Sequence, residues 1–523
     1  MITEETLPAV VHRAARRFGQ LEAVVEGPDR PTFAQVEGLV ERRTRALVAS
    51  GVAPGDRVSL WAPNGLEWIL LSFAVYAAGA VLVPINTRFK GEEAAYVLRR
   101  AGVRTLFTVT DFLDTDYVAL LDGLDLPDLR EVVVASGGTP VGATPMDAFL
   151  GRAETVPASS VAEREAALGA DTVCDIIFTS GTTGKPKGAQ LTHGASIATY
   201  AQWADRVGLQ AGDREIIVYP FFHTSGLKSG VLAAFLQGAT LVPHAVFDVP
   251  SVMRVVADEK ITFLPGPPSV FQSILSHPDF DQFDLGSLRL SVTGAATVPV
   301  ELIQRMRTEL RLESVVTAYG LTETHGTATV CLGTDPAQTI AETVGSALDG
   351  LELRVVDDDG ADVPPGEVGE VWIRGFNVTE GYFDDPEATA DAVVDGWLRT
   401  GDVGWLGDDD HLRLVDRKKD LLMVGGFNVA PAEVERLLLC RDDIAQVAVV
   451  AAPDARLGEV GAAFVVPRPG RVVDPAEVIA WCRDQMANYK VPRYVQLVDA
   501  LPVNASGKVL KVELREQARQ LAE

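Results

Sequence analysis

Between residues 216 and 317 the chain alternates short apolar runs with amphipathic segments of helix length. The runs lie at 216–218, 239–242, 261–264, 290–292 and 315–317, each ending near Gly or Pro, and the amphipathic segments include 251–258 and 300–310. This alternation predicts parallel strands joined by helical crossovers, an α/β arrangement whose ligands gather at the carboxyl ends of the strands. Upstream, Asp175-Ile176-Ile177-Phe178 predicts another strand. Residues 68–85 carry no charge, which is long enough to raise the question of a membrane span. Gly79 and Pro84 interrupt the stretch, so it predicts a buried helix, a turn and a strand at Val81-Leu82-Val83.

After Gly345 the texture changes. Segments 351–356, 370–373 and 411–415 read as strands separated by turns such as Asp357-Asp358-Asp359-Gly360, predicting a β-rich subdomain. From Ala430 the pattern is a helix at 431–439, a strand at 445–451 and a helix at 475–485, a compact α+β unit. The charged cluster Asp416-Arg417-Lys418-Lys419-Asp420 is the expected joint. The expected organisation is an N-terminal domain over 1–415, built of layered α/β subdomains plus the β-rich one, a hinge over 416–420 and a small C-terminal domain over 421–523.

Composition narrows the function classes. A chain of 523 residues suits several domains at about 150 residues each. With 47% apolar and 23% charged residues it is globular in composition. Its 46 basic and 72 acidic side chains leave a formal charge of −26, which repels polyphosphate backbones and argues against nucleic acid as a partner. An anionic ligand must therefore be gathered by a local basic pocket. Cys174, Cys331, Cys440 and Cys482 are far apart and match neither a disulfide framework nor a paired-cysteine metal site. A reducing, cytoplasmic setting is expected, and residues 1–19 show no secretory-signal pattern.

The segment Thr179-Ser180-Gly181-Thr182-Thr183-Gly184-Lys185-Pro186-Lys187-Gly188 packs four hydroxyls, three glycines and two lysines into one loop. Hydroxyls and open backbone N–H groups donate to phosphate oxygens, glycines allow close approach, and lysine adds a compact cation. Pro186 stands where the common nucleotide loop GxxxxGK[ST] needs Ser or Thr, and no two glycines in the chain are spaced as GxG. Read by composition alone, the segment is equally a Ser/Thr/Gly hairpin.

The segment resembles the signature of the adenylate-forming enzymes, which include acyl-CoA synthetases, aryl-CoA ligases, adenylation domains of peptide synthetases and beetle luciferases. Further elements follow in that family's order: Tyr319-Gly320-Leu321-Thr322-Glu323, Thr400-Gly401-Asp402, the hinge opening Asp416-Arg417, and Asn504-Ala505-Ser506-Gly507-Lys508. The resemblance implies attack of a carboxylate on the α-phosphate of ATP, giving acyl-AMP and pyrophosphate. A thiol, usually that of CoA, then takes the acyl group and releases AMP.

Each motif acquires an implied role. Lys508 would bridge the carboxylate and the α-phosphate, although a lone Ser-Gly-Lys reads as an exposed turn. Glu323 would hold Mg²⁺ and Thr322 would bond the α-phosphate, where Thr-Glu alone reads as a helix start. Asp402 would accept the ribose hydroxyls with Arg417 nearby, where Gly-Asp alone reads as a turn. ATP would also meet Thr179, Ser180, Gly181, Thr182, Thr183, Gly184, Lys187, Gly294, Ala295, Ala296, Tyr319 and Gly320. His223 would gate the acyl pocket rather than act as a base, although a lone strand-end histidine reads as a core residue. Thr224, Lys228, Pro268, Gly294, Gly320 and Leu321 are expected to line that pocket, Gly294, Ala295, Ala296 and Gly320 as smooth walls. The C-terminal domain is implied to swing about Lys419 and present Gly425, Gly426 and Phe427 to the CoA arm.

The stretch Phe222-His223-Thr224-Ser225 has no carboxylate for a substrate ammonium, so an acid without an α-amino group is expected. Blocks 220–230, 238–248, 264–275, 292–300 and 425–435 look closest to bacterial synthetases acting on bulky, ring-bearing acids such as those of steroid degradation. Lys228 either reaches solvent along its stem or meets a keto or second acid group of the substrate. Phe376 and Ala430 depart from the family's commoner residues, the latter beside the implied thiol tunnel. Other readings are transfer to an amine or carrier-protein thiol, a luciferase-like oxygenase, and a paralogue limited to one half-reaction. Expected partners are the acid, ATP and CoA, with no membrane insertion and a homodimer as the one protein association considered.

Overall fold

The computed structural model describes residues 5–179, 186–294, 298–418, 420–424, 427–454, 456–504 and 508–522. The uncharged stretch forms the helix Leu66–Ala77, buried from Trp68 onward, and then the strand Val81–Pro84. Gly79 makes the turn between them at φ +74°, a left-handed conformation that a side chain would strain. No described helix is long and apolar enough to cross a membrane.

The first sheet comprises Arg57–Trp61 (β1), Val81–Pro84 (β2), Thr105–Val109 (β3), Glu131–Ser136 (β4), Thr144–Pro145 (β5), Val173–Thr179 (β6) and Lys187–Thr192 (β7), in the order β5-β4-β3-β1-β2-β6-β7. All neighbours are parallel apart from the antiparallel β6–β7 pair. The phosphate-loop motif spans that hairpin, with Thr179 opposite Lys187.

A second layer pairs Arg214–Ile217 (β8) with Thr240–Pro243 (β9), and Leu290–Thr293 (β10) with Ser314–Tyr319 (β11), both parallel. The expected strand at 261–264 is reduced to one residue. Phe263 alone bridges Glu215 and Leu290, and so joins the two pairs. The crossover helices Val249–Glu259 and Val300–Thr308 match the amphipathic segments. Two short strands, Thr329–Val330 (β12) and Ser346–Ala347 (β13), extend the layer from β11.

The β-rich part contains Leu351–Val356 (β14), Gly369–Gly375 (β15), Val393–Val394 (β16), Trp397–Leu406 (β17) and Leu412–Arg417 (β18). Its order is β14-β15-β17-β16, with β18 on β17. The final unit has Leu422–Val424 (β19), Phe427–Val429 (β20), Ile444–Asp454 (β21), Gly458–Pro467 (β22) and Tyr494–Leu497 (β23), in the order β20-β19-β22-β21 with β23 on β22. The helix Pro475–Gln485 falls where the sequence predicts it, and Lys511–Ala522 closes the unit.

The buried side chains separate accordingly. One continuous core runs through the body from Leu7 to Leu412, with a smaller one under β1 to β3. A distinct core, from Leu422 to Ala518, belongs to the C-terminal unit.

Candidate functional site

Tyr319 ends its strand, the residues after it form a turn braced from a neighbouring layer, and Asp402 lies within a strand. Tyr319 ends β11, and Thr322–Thr324 follow as one tight helical turn. His325 caps that turn at φ +55°. Its Nδ1–H donates to the Asn377 carbonyl (2.8 Å), and its Nε2 accepts from the Thr192 N–H (3.1 Å). Burial holds this imidazole neutral by lowering its pKa to about 4. The Asn377 amide donates to the carbonyls of Thr324 and Thr327, and the Thr379 N–H donates to the Glu323 carbonyl at 2.7 Å. The backbone beneath Glu323 is thus fixed from three directions.

Glu323 itself is 9% exposed. Its Oε1 accepts the Tyr382 hydroxyl at 2.8 Å, and its Oε2 takes no hydrogen bond from the described residues. The Lys187 ammonium, at the exit of the phosphate-loop motif, lies 5.2 Å from the centre of the Tyr382 ring. No described cluster gathers three metal-ligating side chains. A single carboxylate with an available oxygen is what Mg²⁺ requires when substrate phosphates supply further ligands.

Asp402 lies in strand β17, directly opposite Arg417 of β18, and not in a turn as Gly-Asp alone suggests. Its Oδ1 pairs with Arg417 Nε at 3.0 Å, and its Oδ2 accepts the Tyr319 hydroxyl at 2.6 Å. Burial first, then the Asp402 charge, pushes the Tyr319 phenol well above its usual range, so it stays a donor. Tyr319, Asp402 and Arg417 therefore come together as the motifs imply.

His223 follows β8, ahead of the π-helix Ser225–Leu232. Its Nδ1 accepts from the Ser225 N–H at 3.2 Å and lies 2.9 Å from the Ser225 hydroxyl. Burial and then the Lys508 ammonium lower its pKa to about 4, so the ring is neutral near pH 7. The Lys508 charge is thus felt at His223. The Lys508 N–H donates to Asn504 Oδ1 (2.9 Å), and the Asn504 N–H donates to the Lys508 carbonyl (2.8 Å). Val503 pairs with Val509, and Arg88 Nη1 of the body donates to the Val503 carbonyl at 3.4 Å.

The pocket expectations divide. Thr224 is buried beside Gly326, and Pro268 begins the helix Pro268–Leu275. Leu321 packs on the body core, and a Cβ on Gly294 would meet nothing nearer than the Ala318 carbonyl oxygen at 3.8 Å. Gly320 has a different reason. A Cβ there would lie 2.5 Å from the Gly326 oxygen, so the glycine is required by the chain's own close approach. Lys228 follows neither expectation. It is 1% exposed, and its Nζ lies 2.5 Å from Asp175 Oδ2. The stem cannot reach solvent from the interior of the π-helix, and Asp175 takes its charge. Burial lowers that amine's pKa, but Asp175, together with Cys174, offsets this, and the net shift is upward.

Phe427 is 59% exposed and stacks on Tyr489, with ring centres 4.8 Å apart. Ser180, Gly181, Thr182, Thr183, Gly184, Ala295, Ala296, Lys419, Gly425 and Gly426 lie outside the described residues. Sequence reasoning missed Tyr382, His325 and Asp175. None sits in a spacing that signals chemistry, and each acquires its role from a partner distant in the chain.

Comparison with known proteins adds the family. The family model described as AMP-binding enzyme matches residues 11–383, and that of the AMP-binding enzyme C-terminal domain matches 433–508. A 3-[(3aS,4S,7aS)-7a-methyl-1,5-dioxo-octahydro-1H-inden-4-yl]propanoyl:CoA ligase of Rhodococcus jostii (strain RHA1) is 45% identical, over 98% of this chain and 99% of that protein. The ligase of the same description from Mycobacterium tuberculosis (strain ATCC 25618 / H37Rv) is 46% identical over 98% of each. Among solved structures, the anthranilate CoA ligase AuaEII in complex with anthranoyl-AMP superposes with a TM-score of 0.88 at 27% identity, covering 99% of this chain and 98% of that one.

Proposed function

The chain belongs to the AMP-binding enzyme family and is an AMP-forming acyl-CoA ligase with ATP and CoA as substrates, and from that premise we propose that its acid is a propanoate carried on a fused, keto-bearing ring system. The observation that carries this is 45–46% identity over nearly the whole chain to two ligases named for such an acid. The charge arrangement supports it. An amino acid would need an unpaired carboxylate near the gate, and the buried Asp175 is already neutralised by Lys228. Acyl-CoA formation from a panel of polycyclic keto-acids, aryl acids and fatty acids, followed by mass spectrometry, tests the reading. The highest kcat/KM is expected for the ring-bearing propanoate, and turnover confined to linear fatty acids would overturn it.

The residues divide the work as follows. The Tyr319–Asp402–Arg417 group holds the ribose, with Asp402 accepting hydroxyl protons through its remaining lone pairs. Lys508 enters beside His223 and offers its cation to the acid carboxylate and the α-phosphate, reducing the repulsion between two anions. A carboxylate oxygen attacks the α-phosphorus as its bond to the pyrophosphate oxygen breaks. Thr322 donates to the α-phosphate. Glu323 would hold Mg²⁺, which neutralises phosphate charge when bound. The neutral His223 serves as a wall between the acyl group and the thiol route. Its Nδ1 is occupied by Ser225, which suits a gate better than a base. In the second step the CoA sulfur attacks the acyl carbon, the acyl–phosphate C–O bond breaks, and AMP leaves.

The body over 1–415, the hinge over 416–420 and the lid over 421–523 give this chemistry its two arrangements. Contact of Arg88 with Val503, and the effect of Lys508 on His223, support reading the present arrangement as the one for adenylation.

A further inference from the structure

Residues Gly381, Tyr382 and Phe383 form an extra rung along the strand that leaves the phosphate-loop motif. The Gln190 N–H donates to the Gly381 carbonyl (3.0 Å), the Phe383 N–H donates to the Gly188 carbonyl (2.8 Å), and Tyr382 bridges Ala189. The Tyr382 N–H is taken by Thr389 Oγ1 at 2.9 Å, so the main chain has no slack. This backbone directs the side chain between two opposite charges. The hydroxyl meets Glu323 Oε1 at 2.8 Å, and the face of the ring meets the Lys187 ammonium at 5.2 Å. Lys187 and Glu323 form no ion pair with each other among the described residues, although both point at the same aromatic side chain.

We propose that Tyr382 is a positioning residue that holds Glu323 and Lys187 apart, its hydroxyl setting the orientation of the metal-binding carboxylate and its ring holding the phosphate-binding lysine. A carboxylate and an ammonium left side by side would pair, and each would lose strength toward its ligand. The phenol ties down one carboxylate oxygen as a donor and leaves the other for the cation. The ring attracts the ammonium through its quadrupole without supplying a negative charge that would compete with phosphate. This inference rests on the reading of Glu323 as the Mg²⁺ carboxylate.

Three variants separate the parts: Tyr382→Phe removes only the hydroxyl, Tyr382→Leu removes the ring as well, and Glu323→Gln tests the underlying reading. ATP binding to each would be measured by calorimetry with Mg²⁺ and with EDTA. Tyr382→Phe is expected to raise the Mg²⁺ concentration needed for half-maximal binding about 10-fold while metal-free ATP affinity stays at the wild-type value, since partners of metal ligands commonly contribute about that much. Tyr382→Leu is expected to weaken metal-free ATP binding as well, several-fold, because Lys187 loses its ring. If Glu323→Gln shifts the Mg²⁺ dependence and Tyr382→Phe does not, the role of Tyr382 is overturned and that of Glu323 stands. If Glu323→Gln leaves the dependence unchanged, the reading beneath the inference falls with it. Equal weakening of metal-bound and metal-free ATP in Tyr382→Phe would mark a general distortion and also overturn it.

Discussion

Asp175 and Asp402 are both buried strand carboxylates with two partners or more, yet they are built to opposite ends. Asp175 is dry. Its oxygens take the Lys228 ammonium at 2.5 Å, the Tyr76 hydroxyl at 2.6 Å and the Cys174 thiol at 3.0 Å, all from side chains that are themselves buried. Its charge is settled within the protein. Asp402 has a tyrosine hydroxyl and a partly exposed arginine, and it is the carboxylate proposed above to hold the ribose. Around it, Glu323 keeps one oxygen without a hydrogen bond from the described residues. The difference teaches that this enzyme keeps two electrostatic economies apart. The knot under the phosphate strand supports the fold, whereas Glu323 is bonded through one oxygen only among the described residues.

The largest expected effect is at Lys508. Lys508→Ala should reduce ATP–pyrophosphate exchange by about 10²–10³-fold, as loss of a preorganised charge commonly does, with the melting temperature unchanged. Thioesterification of a supplied acyl-adenylate should stay within a few-fold of wild type. Equal loss in both half-reactions would erase the distinction between the two sets of charges.

Next is the settled set. Lys228→Met leaves Asp175 buried without its cation and should cost about 3–5 kcal/mol in urea unfolding. The Asp175→Asn, Lys228→Met double variant should recover most of that and keep the wild-type KM for ATP. A double variant no more stable than the single one would show that the pair is not the unit described.

A smaller effect is expected at Asp402. The Asn variant should raise the KM for ATP about 10-fold, the scale of a hydrogen bond to a charged group, with less loss of stability than Lys228→Met causes. A KM unchanged by this substitution would place Asp402 with Asp175 as a structural group.

A separate set of effects concerns pH. His193, His223 and His325 have pKa values lowered, chiefly by burial, from 6.5 to about 3, 4 and 4. The unfolded chain therefore binds protons that the folded chain refuses, and stability should decline as pH falls from 6.5 toward 4. His12 is opposite. Its contact with Glu165 leads the causes that raise its pKa from 6.5 to about 9. Its contribution is fully present below 6.5 and lost as pH rises through 9. A plot of melting temperature against pH should show both limbs, and His12→Gln should flatten only the alkaline one.

Much of the scaffold was legible because its signals are local. The strand at 351–356 and the helix at 475–485 occupy the expected residues, since alternation and apolar spacing need no distant partner. The grouping of Tyr319, Asp402 and Arg417 was suggested only by the family motifs, and Gly401-Asp402 gave no local sign of lying within a strand. The π-helix was not legible. Its winding is confined by the body, where a Cβ on Gly226 would lie 2.2 Å from the Pro220 oxygen and one on Gly230 would lie 2.6 Å from Ile217 Cδ1. Lys228 and Tyr382 were misread or missed for a related reason. Their partners stand 53 and 59 residues away, a distance that no periodicity spans.

The separation of the two cores has an engineering consequence. Among the described residues, the C-terminal core from Leu422 to Ala518 shares no side chain with the core that ends at Leu412. A recombination junction placed in the charged segment between them would leave both packed interiors whole but would have to keep the ion pairs of Asp416, Arg417 and Asp420. Exchange of the C-terminal unit between relatives therefore transplants a finished part, and the seam to be matched is those ion pairs and the contact of Arg88 with Val503.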